Sequence, residues 1–379
     1  MIFSAIEQVG NIPFKDVLIH GLVRDSQGRK MSKSLGNGID PLEIIRDYGA
    51  DALRFTLANG NSPGNDMRFY QERVESARNF ANKLWNAARF VMMNLDIEKL
   101  SLPDASELQA EDKWLLDTYN RLVKEVTVNI DNYELGVALA KLYDFIWDVF
   151  CDWYIELAKS RLFDKENPTN KTAQKVISFV LSGTLKLLHP FMPFITEEIW
   201  LTLPHEGESI MVSDWPKASD GMSFEKESAD FEKIISAIRA IRTRRTEMKV
   251  PVSRKTKLFV STPFPELFKN SALFFDKLAS VTSVEIVDDY TDEDAVTLIT
   301  DGAKLFIPVA DMVDFAEEKE RLTKEKEKLE NEVGRLEKKL GNDEFVKKAP
   351  EKVVAAEREK LEKYKAQLKD TVSALEKIK

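Results

Sequence analysis

The chain has 379 residues, of which 43% are hydrophobic and 31% are charged, and its formal net charge at pH 7 is -9. This length exceeds that of most single domains, so we expect several folded units. The acidic sum excludes a generally basic surface, so any contact with a polyanion must be made by local patches. With one cysteine and three histidines, the sequence excludes a disulfide framework and contains no cluster with zinc-ligand spacing.

No part of the sequence resembles a membrane span or a secretory leader. No apolar run approaches the roughly 18 residues that are needed to cross a bilayer. We therefore expect a soluble protein of the reducing cytoplasm. Residues 1–9 predict a helix with no capping residue ahead of it, so we also expect the folded domain to start further upstream.

The amino-terminal part of the chain combines strand-like and helical patterns. Residues 16–23 form an apolar run that predicts a strand, and residues 24–38, named here the lysine loop, are polar and contain three glycines. Asp40-Pro41 predicts the start of a helix, because aspartate is a favoured N-cap and proline fits the first turn. A second helix is predicted at about 50–58, followed by a Gly/Asn/Pro-rich loop at 59–65.

Residues 70–203 predict a helical bundle. Apolar residues recur there at helical spacing in long stretches, and prolines lie in or beside the connections between them. Pro190 and Pro193 predict a break between two of these helices. The longest apolar stripe comprises Leu135, Leu139, Leu142, Phe145, Ile146, Val149 and Trp153.

Residues 230–312 predict a small α+β unit. A helix from Phe231 is followed by short strand-like runs and by a second helix at about 265–278. Asp301-Gly302 lies between two such runs and predicts a two-residue hairpin.

Residues 315–379, named here the arm, predict a coiled coil. Leucines recur every seven residues on both sides of a break at 341–343. A dimerising coiled coil is one interpretation, but a short connection favours pairing of the two helices within one chain, as an antiparallel hairpin. From residue 316 onward the sequence has 18 Lys and Arg against 16 Asp and Glu, so the arm is less acidic than the rest of the chain.

The lysine loop carries the clearest chemical pattern, the pentamer Lys30-Met31-Ser32-Lys33-Ser34. Two lysines three positions apart, with serine hydroxyls between and beside them, suit a polyphosphate. Lysine is a compact charge with rotatable donors, and hydroxyl and backbone N–H groups can add hydrogen bonds to phosphate oxygens. The alternative for the pentamer alone is an ordinary basic surface loop.

The pentamer resembles, letter for letter, the second signature of the class I aminoacyl-tRNA synthetases. The flanking sequence is similar as well, at His20-Gly21, Gly36-Asn37, Asp40-Pro41 and residues 49–54. Within the subgroup for branched aliphatic amino acids, three segments look like the valyl members, namely residues 61–69, 78–86 and 345–350. The isoleucyl or leucyl type is the alternative inside the same subgroup.

This resemblance implies a reaction in which valine is activated by ATP, with Mg²⁺, and transferred to tRNA(Val). Lys30 and Lys33 would be the catalytic residues, because they would neutralise the charge that develops on the departing pyrophosphate. The whole pentamer, Lys30 to Ser34, would contact ATP. Gly28, Gly36 and Gly38 would let the loop close and open.

The resemblance also implies a mainly α architecture with four parts. These would be the end of a nucleotide-binding α/β domain with the lysine loop and a stem-contact region (1–70), a helical anticodon-binding bundle (71–225), a small α+β domain (226–314) and an antiparallel coiled-coil tRNA-binding arm (315–379). A monomer is expected. Residues proposed to contact tRNA are Arg239, Arg242, Arg245, Arg335, Lys338, Lys339, Lys347 and Lys348.

Parts of the family pattern are missing from this sequence. The first signature, a histidine-containing strand-to-helix motif, is absent, as is the hydrolytic editing domain. We therefore expect the chain alone to bind tRNA without aminoacylating it. A non-enzymatic tRNA-binding module is the alternative, and it would predict a basic net charge and a degenerate lysine loop. A structural coiled-coil protein would predict heptads over most of the chain rather than only over the arm.

Overall fold

The computed structural model describes residues 1–60, 64–291, 294–312, 315–341 and 351–377. Contacts within the chain divide it into two compact units, Met1–Glu232 and Lys233–Lys379. Each unit is described by itself.

The first unit begins with short elements around the lysine loop. Helix α1 (Ile2–Val9) is followed by strand β1 (Val23–Arg24), which pairs in parallel with strand β2 (Met67–Arg68). Helices α2 (Pro41–Tyr48) and α3 (Ala50–Ala58) lie between these strands, as the sequence predicted. The Asp40 carboxylate accepts a hydrogen bond from Leu42 N at 2.9 Å, which confirms its role as the N-cap of α2.

The predicted strand at residues 16–23 is wrong except at its last residue. Val17 and Ile19 are 69% and 74% exposed. A strand needs a neighbour along its length, but before Val23 the described residues give this run only single backbone hydrogen bonds, from Gly64 N to Ile19 O and from Met67 N to Leu22 O, and ladder pairing with β2 begins at Val23. The apolar composition therefore predicted burial that the described part of the chain does not provide.

Close backbone approach fixes the crossing of the segments around β1 and β2. A Cβ atom on Gly21 would lie 1.7 Å from the carbonyl oxygen of Asn65, so no larger residue fits there without a shift of the backbone. The Asp66 carboxylate accepts hydrogen bonds from Leu22 N at 2.8 Å and from Arg24 Nε. These contacts hold the first residues of the lysine loop against the segment that leads into the bundle.

The predicted helical bundle is confirmed. Pro193 occupies the first turn of the last bundle helix, and the preceding helix ends at Leu188, so the predicted proline break is also confirmed. The bundle consists of α4 (Gln71–Met93), α5 (Ala110–Asp131), α6 (Leu135–Asp144), a π-helix (Phe145–Tyr154), α7 (Ile155–Phe163), α8 (Asn170–Leu188) and α9 (Pro193–Thr202).

The longest predicted apolar stripe runs along α6 and the π-helix. Leu139, Leu142, Phe145 and Ile146 are buried, as helical spacing predicted. The π-helix was not predicted, because its wider turn changes the hydrogen-bonding pattern while keeping an apolar surface toward the core.

A buried charge network joins α5 to α7. The Arg161 guanidinium donates hydrogen bonds to Glu111 Oε1 and Asp112 Oδ1, both at 2.8 Å, and to Asp112 Oδ2 at 2.9 Å. Tyr154 Oη donates to Asp112 Oδ1 at 2.7 Å. Burial opposes the charge of Arg161, but the hydrogen bonds and charge of Asp112 outweigh it and raise the pKa of the guanidinium. Burial, and then the charge of Asp112, raise the pKa of Glu111.

The second unit contains a four-stranded sheet with the order β4-β3-β6-β5. Its strands are β3 (Thr256–Ser261), β4 (Val281–Ile286), β5 (Ala295–Ile299) and β6 (Lys304–Pro308), and β3 pairs in parallel with β4 and antiparallel to β6. The β5–β6 pair is antiparallel, and Thr300 N donates to Ala303 O at 2.9 Å across Asp301-Gly302, which confirms the predicted hairpin.

Helices flank this sheet and precede it. Helix α10 (Glu225–Glu247) leads toward β3. The single helix predicted at about 265–278 is instead two helices, α11 (Pro265–Asn270) and α12 (Ala272–Ala279). Ser271 separates them, and its carbonyl accepts a hydrogen bond from Phe274 N at 2.9 Å, which starts the second helix anew.

The arm is a pair of long helices. After the short helix α13 (Val309–Met312), the arm consists of α14 (Phe315–Leu340) and α15 (Glu351–Lys377). Val333, Leu336 and Val354 are buried along it. Two ion pairs join the helices, Lys339–Glu357 at 3.2 Å and Lys365–Glu337 at 2.8 Å, and their order along the two helices is antiparallel. The predicted hairpin is confirmed, with arms of about 40 Å at 1.5 Å rise per residue.

Replacing Arg161 with methionine should destabilise the first unit by about 3–5 kcal/mol, because the buried Asp112 carboxylate would lose its charged partner. All six tryptophans lie in that unit, so urea unfolding followed by tryptophan fluorescence reports on it alone. Lys171→Met is the matched control, because the Lys171–Asp96 pair is exposed and should cost about 1 kcal/mol or less. Equal losses in the two variants would contradict the stabilising role of the network.

Candidate functional site

The pentamer of the lysine loop forms an ordered turn between β1 and α2. Lys33–Leu35 is a 3₁₀ turn, and the Ser32 hydroxyl caps it by accepting a hydrogen bond from Leu35 N at 3.3 Å. The Ser32 and Ser34 hydroxyl oxygens are 3.1 Å apart. Gly36 follows with a φ of +60°, a conformation that favours glycine and turns the chain toward α2.

The two lysines of the pentamer are both exposed. Within the part of the chain that the structure describes, no ion pair to Lys30 or Lys33 is present. Both ammonium groups are therefore accessible to a polyphosphate. Of the other predicted loop features, Gly28 has a φ of +82°, like Gly36 in the left-handed region, whereas Gly38 does not lie there.

The lysine loop also contains a buried carboxylate, that of Asp25. Asp25 is 7% exposed, and the side-chain amide of Asn37 donates to it at 2.9 Å. This hydrogen bond, together with those from Arg29, lowers the pKa of Asp25 to about 2 against the opposing effect of burial. Because the folded pKa is below the unfolded one, the ionised carboxylate stabilises the loop above pH 3.8, and this contribution is lost as the pH falls through about 2. No periodic pattern in the sequence points to this pair.

The segment that carries the lysine loop is attached to the bundle through α3. The buried Asp51 carboxylate accepts hydrogen bonds from Phe194 N at 3.3 Å and Ile195 N at 2.7 Å, at the first turn of α9. Arg54 donates to Pro190 O at 2.9 Å and to Phe191 O at 3.1 Å. Both residues belong to the 49–54 motif, whose attachment to the bundle the sequence did not reveal.

The three arginines of α10 do not share one exposed face. Arg239 and Arg242 are exposed, but Arg245 is only 6% exposed. The Arg245 guanidinium donates to Pro251 O at 3.0 Å and to Arg254 O at 2.6 Å. Three residues of an α-helix fall about 60° short of a full turn. The third arginine therefore lies about 120° around the helix from the first. The prediction that Arg245 contacts RNA is corrected on this ground.

The predicted cations of the arm lie near the end of α14. Arg335, Lys338 and Lys339 are exposed. Arg335 also pairs with Glu332 at 2.7 Å. Lys347 and Lys348 lie outside the described residues.

Metal-binding clusters and membrane spans are both absent from the described ranges. No group of three or more His, Cys, Asp or Glu side chains in them is arranged to hold a metal ion. No helix in the same ranges is both long and apolar enough to cross a membrane.

Three family models match the chain in succession. Residues 1–70 match tRNA synthetases class I (I, L, M and V). Residues 112–260 match the anticodon-binding domain of tRNA ligase. Residues 314–379 match the valyl tRNA synthetase tRNA binding arm.

Curated relatives are similar over almost the whole chain. Valine-tRNA ligase of Clostridium tetani is 53% identical over 363 residues, which cover 94% of this chain and 41% of the relative. Valine-tRNA ligase of Bacillus thuringiensis subsp. konkukian is 49% identical with the same coverage. Among solved structures, the Agrobacterium radiobacter K84 LeuRS-tRNA-LeuAMS ternary complex is 21% identical, covers 58% of this chain and 26% of that chain, and has a TM-score of 0.46.

The family models and the curated relatives agree on one family along the chain, and they do not favour the isoleucyl or leucyl alternative. The chain spans about two fifths of the length of the curated relatives that it matches. It therefore belongs to the class I aminoacyl-tRNA synthetases and corresponds to the C-terminal part of the valine-tRNA ligases.

Proposed function

We propose that this chain is the tRNA-binding part, with the lysine loop, of an enzyme that activates valine with ATP and attaches it to tRNA(Val). The observation that carries the proposal is an identity of about one half to valine-tRNA ligases over 94% of the chain. The intact and exposed pentamer supports it, since a binding module without catalysis would not need two accessible lysines at this spacing.

The proposed reaction assigns a defined role to the lysines. The valine carboxylate attacks the α-phosphorus of ATP, an acyl-phosphate bond forms, and the bond between the α-phosphorus and the bridging oxygen breaks. The leaving pyrophosphate takes the electron pair, so negative charge grows on its oxygens. Lys33 would neutralise that charge with help from Lys30, and such donors lower the barrier because they act on the transition state more than on bound ATP. Mg²⁺ would be held largely by the phosphates of ATP.

The isolated chain would not complete this reaction. It covers only 41% of the length of its relatives, and the first signature of the family is absent from its sequence. We therefore propose that the chain alone binds tRNA, as a monomer of the cytoplasm, without forming valyl adenylate.

We propose that the four parts predicted from the sequence divide the work. Residues 1–70 would approach ATP and the acceptor side of tRNA, and the bundle at 71–225 would take the anticodon stem and loop. The α+β unit at 226–314 would add the exposed arginines of α10, and the arm at 315–379 would contact the outer part of the tRNA. Contacts of these kinds use backbone phosphates and unstacked bases. The candidate cations are Arg239, Arg242, Arg335, Lys338 and Lys339.

Filter binding of the chain to purified tRNAs at two salt concentrations tests the proposal. We expect tighter binding to the valine acceptor than to other tRNAs, with a logarithmic salt dependence that reports the number of phosphates engaged. Equal binding to every tRNA would contradict the proposed specificity, and absence of binding would contradict the proposed partner.

Replacing Arg335, Lys338 and Lys339 together with alanine should weaken tRNA binding and reduce the salt slope by about 1 for each phosphate that the variant no longer neutralises. The control variant replaces Lys255, Lys269 and Lys277, which are exposed in the same unit, and changes the net charge by the same amount. If both variants bind equally, the arm is not a specific RNA contact and only bulk charge matters.

A further inference from the structure

Asp25 lies directly after β1, at the start of the lysine loop, and its side chain is buried. Its buried carboxylate accepts hydrogen bonds from Gln27 N at 3.1 Å, Arg29 N at 2.7 Å and Arg29 Nε at 2.7 Å, as well as from Asn37 Nδ2 at 2.9 Å. Four donors are enough to satisfy an ionised carboxylate, whose oxygens only accept. The negative charge of Asp25 is therefore stabilised by hydrogen bonds within this cluster.

Asn37 extends the cluster to the backbone of the pentamer. Its Nδ2 donates to Lys30 O at 3.3 Å in addition to Asp25, and its Oδ1 accepts from Ser32 N at 3.0 Å. The Asn37 amide thus connects Asp25, at the start of the loop, to the backbone of the pentamer at Lys30 and Ser32. Asparagine is suited to this position because it donates and accepts at once.

These hydrogen bonds determine the backbone positions from which the two lysine side chains extend. Lys30 is held at its own carbonyl, and Lys33 follows the held Ser32 directly and opens the 3₁₀ turn that Ser32 caps. These hydrogen bonds order the backbone at Lys30 and Ser32, while the lysine side chains remain exposed. A flexible side chain on a fixed backbone retains a limited reach, so the separation of the two charges depends on the hydrogen bonds of Asn37.

We infer that Asp25 and Asn37 are positioning residues that hold Lys30 and Lys33 at the spacing needed to meet the departing pyrophosphate. This inference rests on the proposed function and adds two residues to it that do not contact the phosphates themselves. Preorganised charges are effective because they need no rearrangement as charge develops in the transition state.

Neither partner can be replaced by its isostere. In Asn37→Asp, two carboxylates would face each other across a hydrogen-bond distance, and Lys30 O would have no donor from this side chain. In Asp25→Asn, an amide would have to replace a carboxylate that accepts from four donors. The swapped double variant, Asp25→Asn with Asn37→Asp, restores a carboxylate–amide pair and keeps the acceptor for Ser32 N, while Lys30 O still lacks the donor from residue 37.

The test measures valine-dependent ATP–pyrophosphate exchange by the complete ligase that contains this segment. We expect each single variant to lower kcat by about tenfold, a size typical of a disturbed orientation, with the KM for valine changed by less than about twofold. The swapped double variant should recover part of the activity. Asn11→Asp is the matched control, because it adds a charge at an exposed position of the same segment, and it should exchange like the wild type.

A purely structural role would give a different pattern. If the pair only stabilised the fold, single variants that tryptophan fluorescence shows to be folded under the assay conditions would keep the wild-type kcat. Wild-type kcat in both single variants, or a double variant no better than the poorer single one, would overturn the positioning role alone. If the wild-type ligase shows no valine-dependent exchange, the proposed function fails and the positioning role fails with it.

Discussion

The first unit depends on a junction between α3 and the turn from α8 to α9. A helix start presents backbone N–H groups and a helix end presents carbonyls, and each needs a partner when it is covered. Asp51 accepts from the N–H groups that open α9, and Arg54 donates to the carbonyls that follow α8. The negative Asp51 thus lies at the positive end of the α9 dipole, and the positive Arg54 lies at the negative end of the α8 dipole. The junction places the segment that carries the lysine loop directly on the helical bundle.

Charged residues in this unit are therefore used in two distinct ways. Arg161 and Asp112 are buried and neutralise each other, so they stabilise the bundle and are closed to a ligand. In the lysine loop the arrangement is reversed, because a buried Asp25 organises the backbone while Lys30 and Lys33 stay at the surface. A chain with an acidic sum can thus present cations locally to a polyanion.

Most of the architecture was predicted from the spacing of apolar residues and from the proline, glycine and capping residues at helix ends and turns. Helix α3 occupies the predicted residues, and the hairpin at Asp301-Gly302 forms as expected, because both depend on local patterns. Residues 16–23 were misassigned because a strand depends on partners that a local pattern does not contain. Arg245 was misassigned because spacing does not show which arginine turns toward the interior. The Asp25–Asn37 pair escaped prediction because it joins two ends of an irregular loop.

Lys33 is proposed to neutralise the charge that develops on the leaving pyrophosphate. The most direct measurement is the single-turnover rate of valyl adenylate formation by the complete ligase carrying Lys33→Met, compared with Lys15→Met, which removes an exposed lysine from the same segment. We expect a rate lower by about a hundredfold or more for Lys33→Met and an unchanged rate for Lys15→Met. Equal rates in the two variants would contradict the claim.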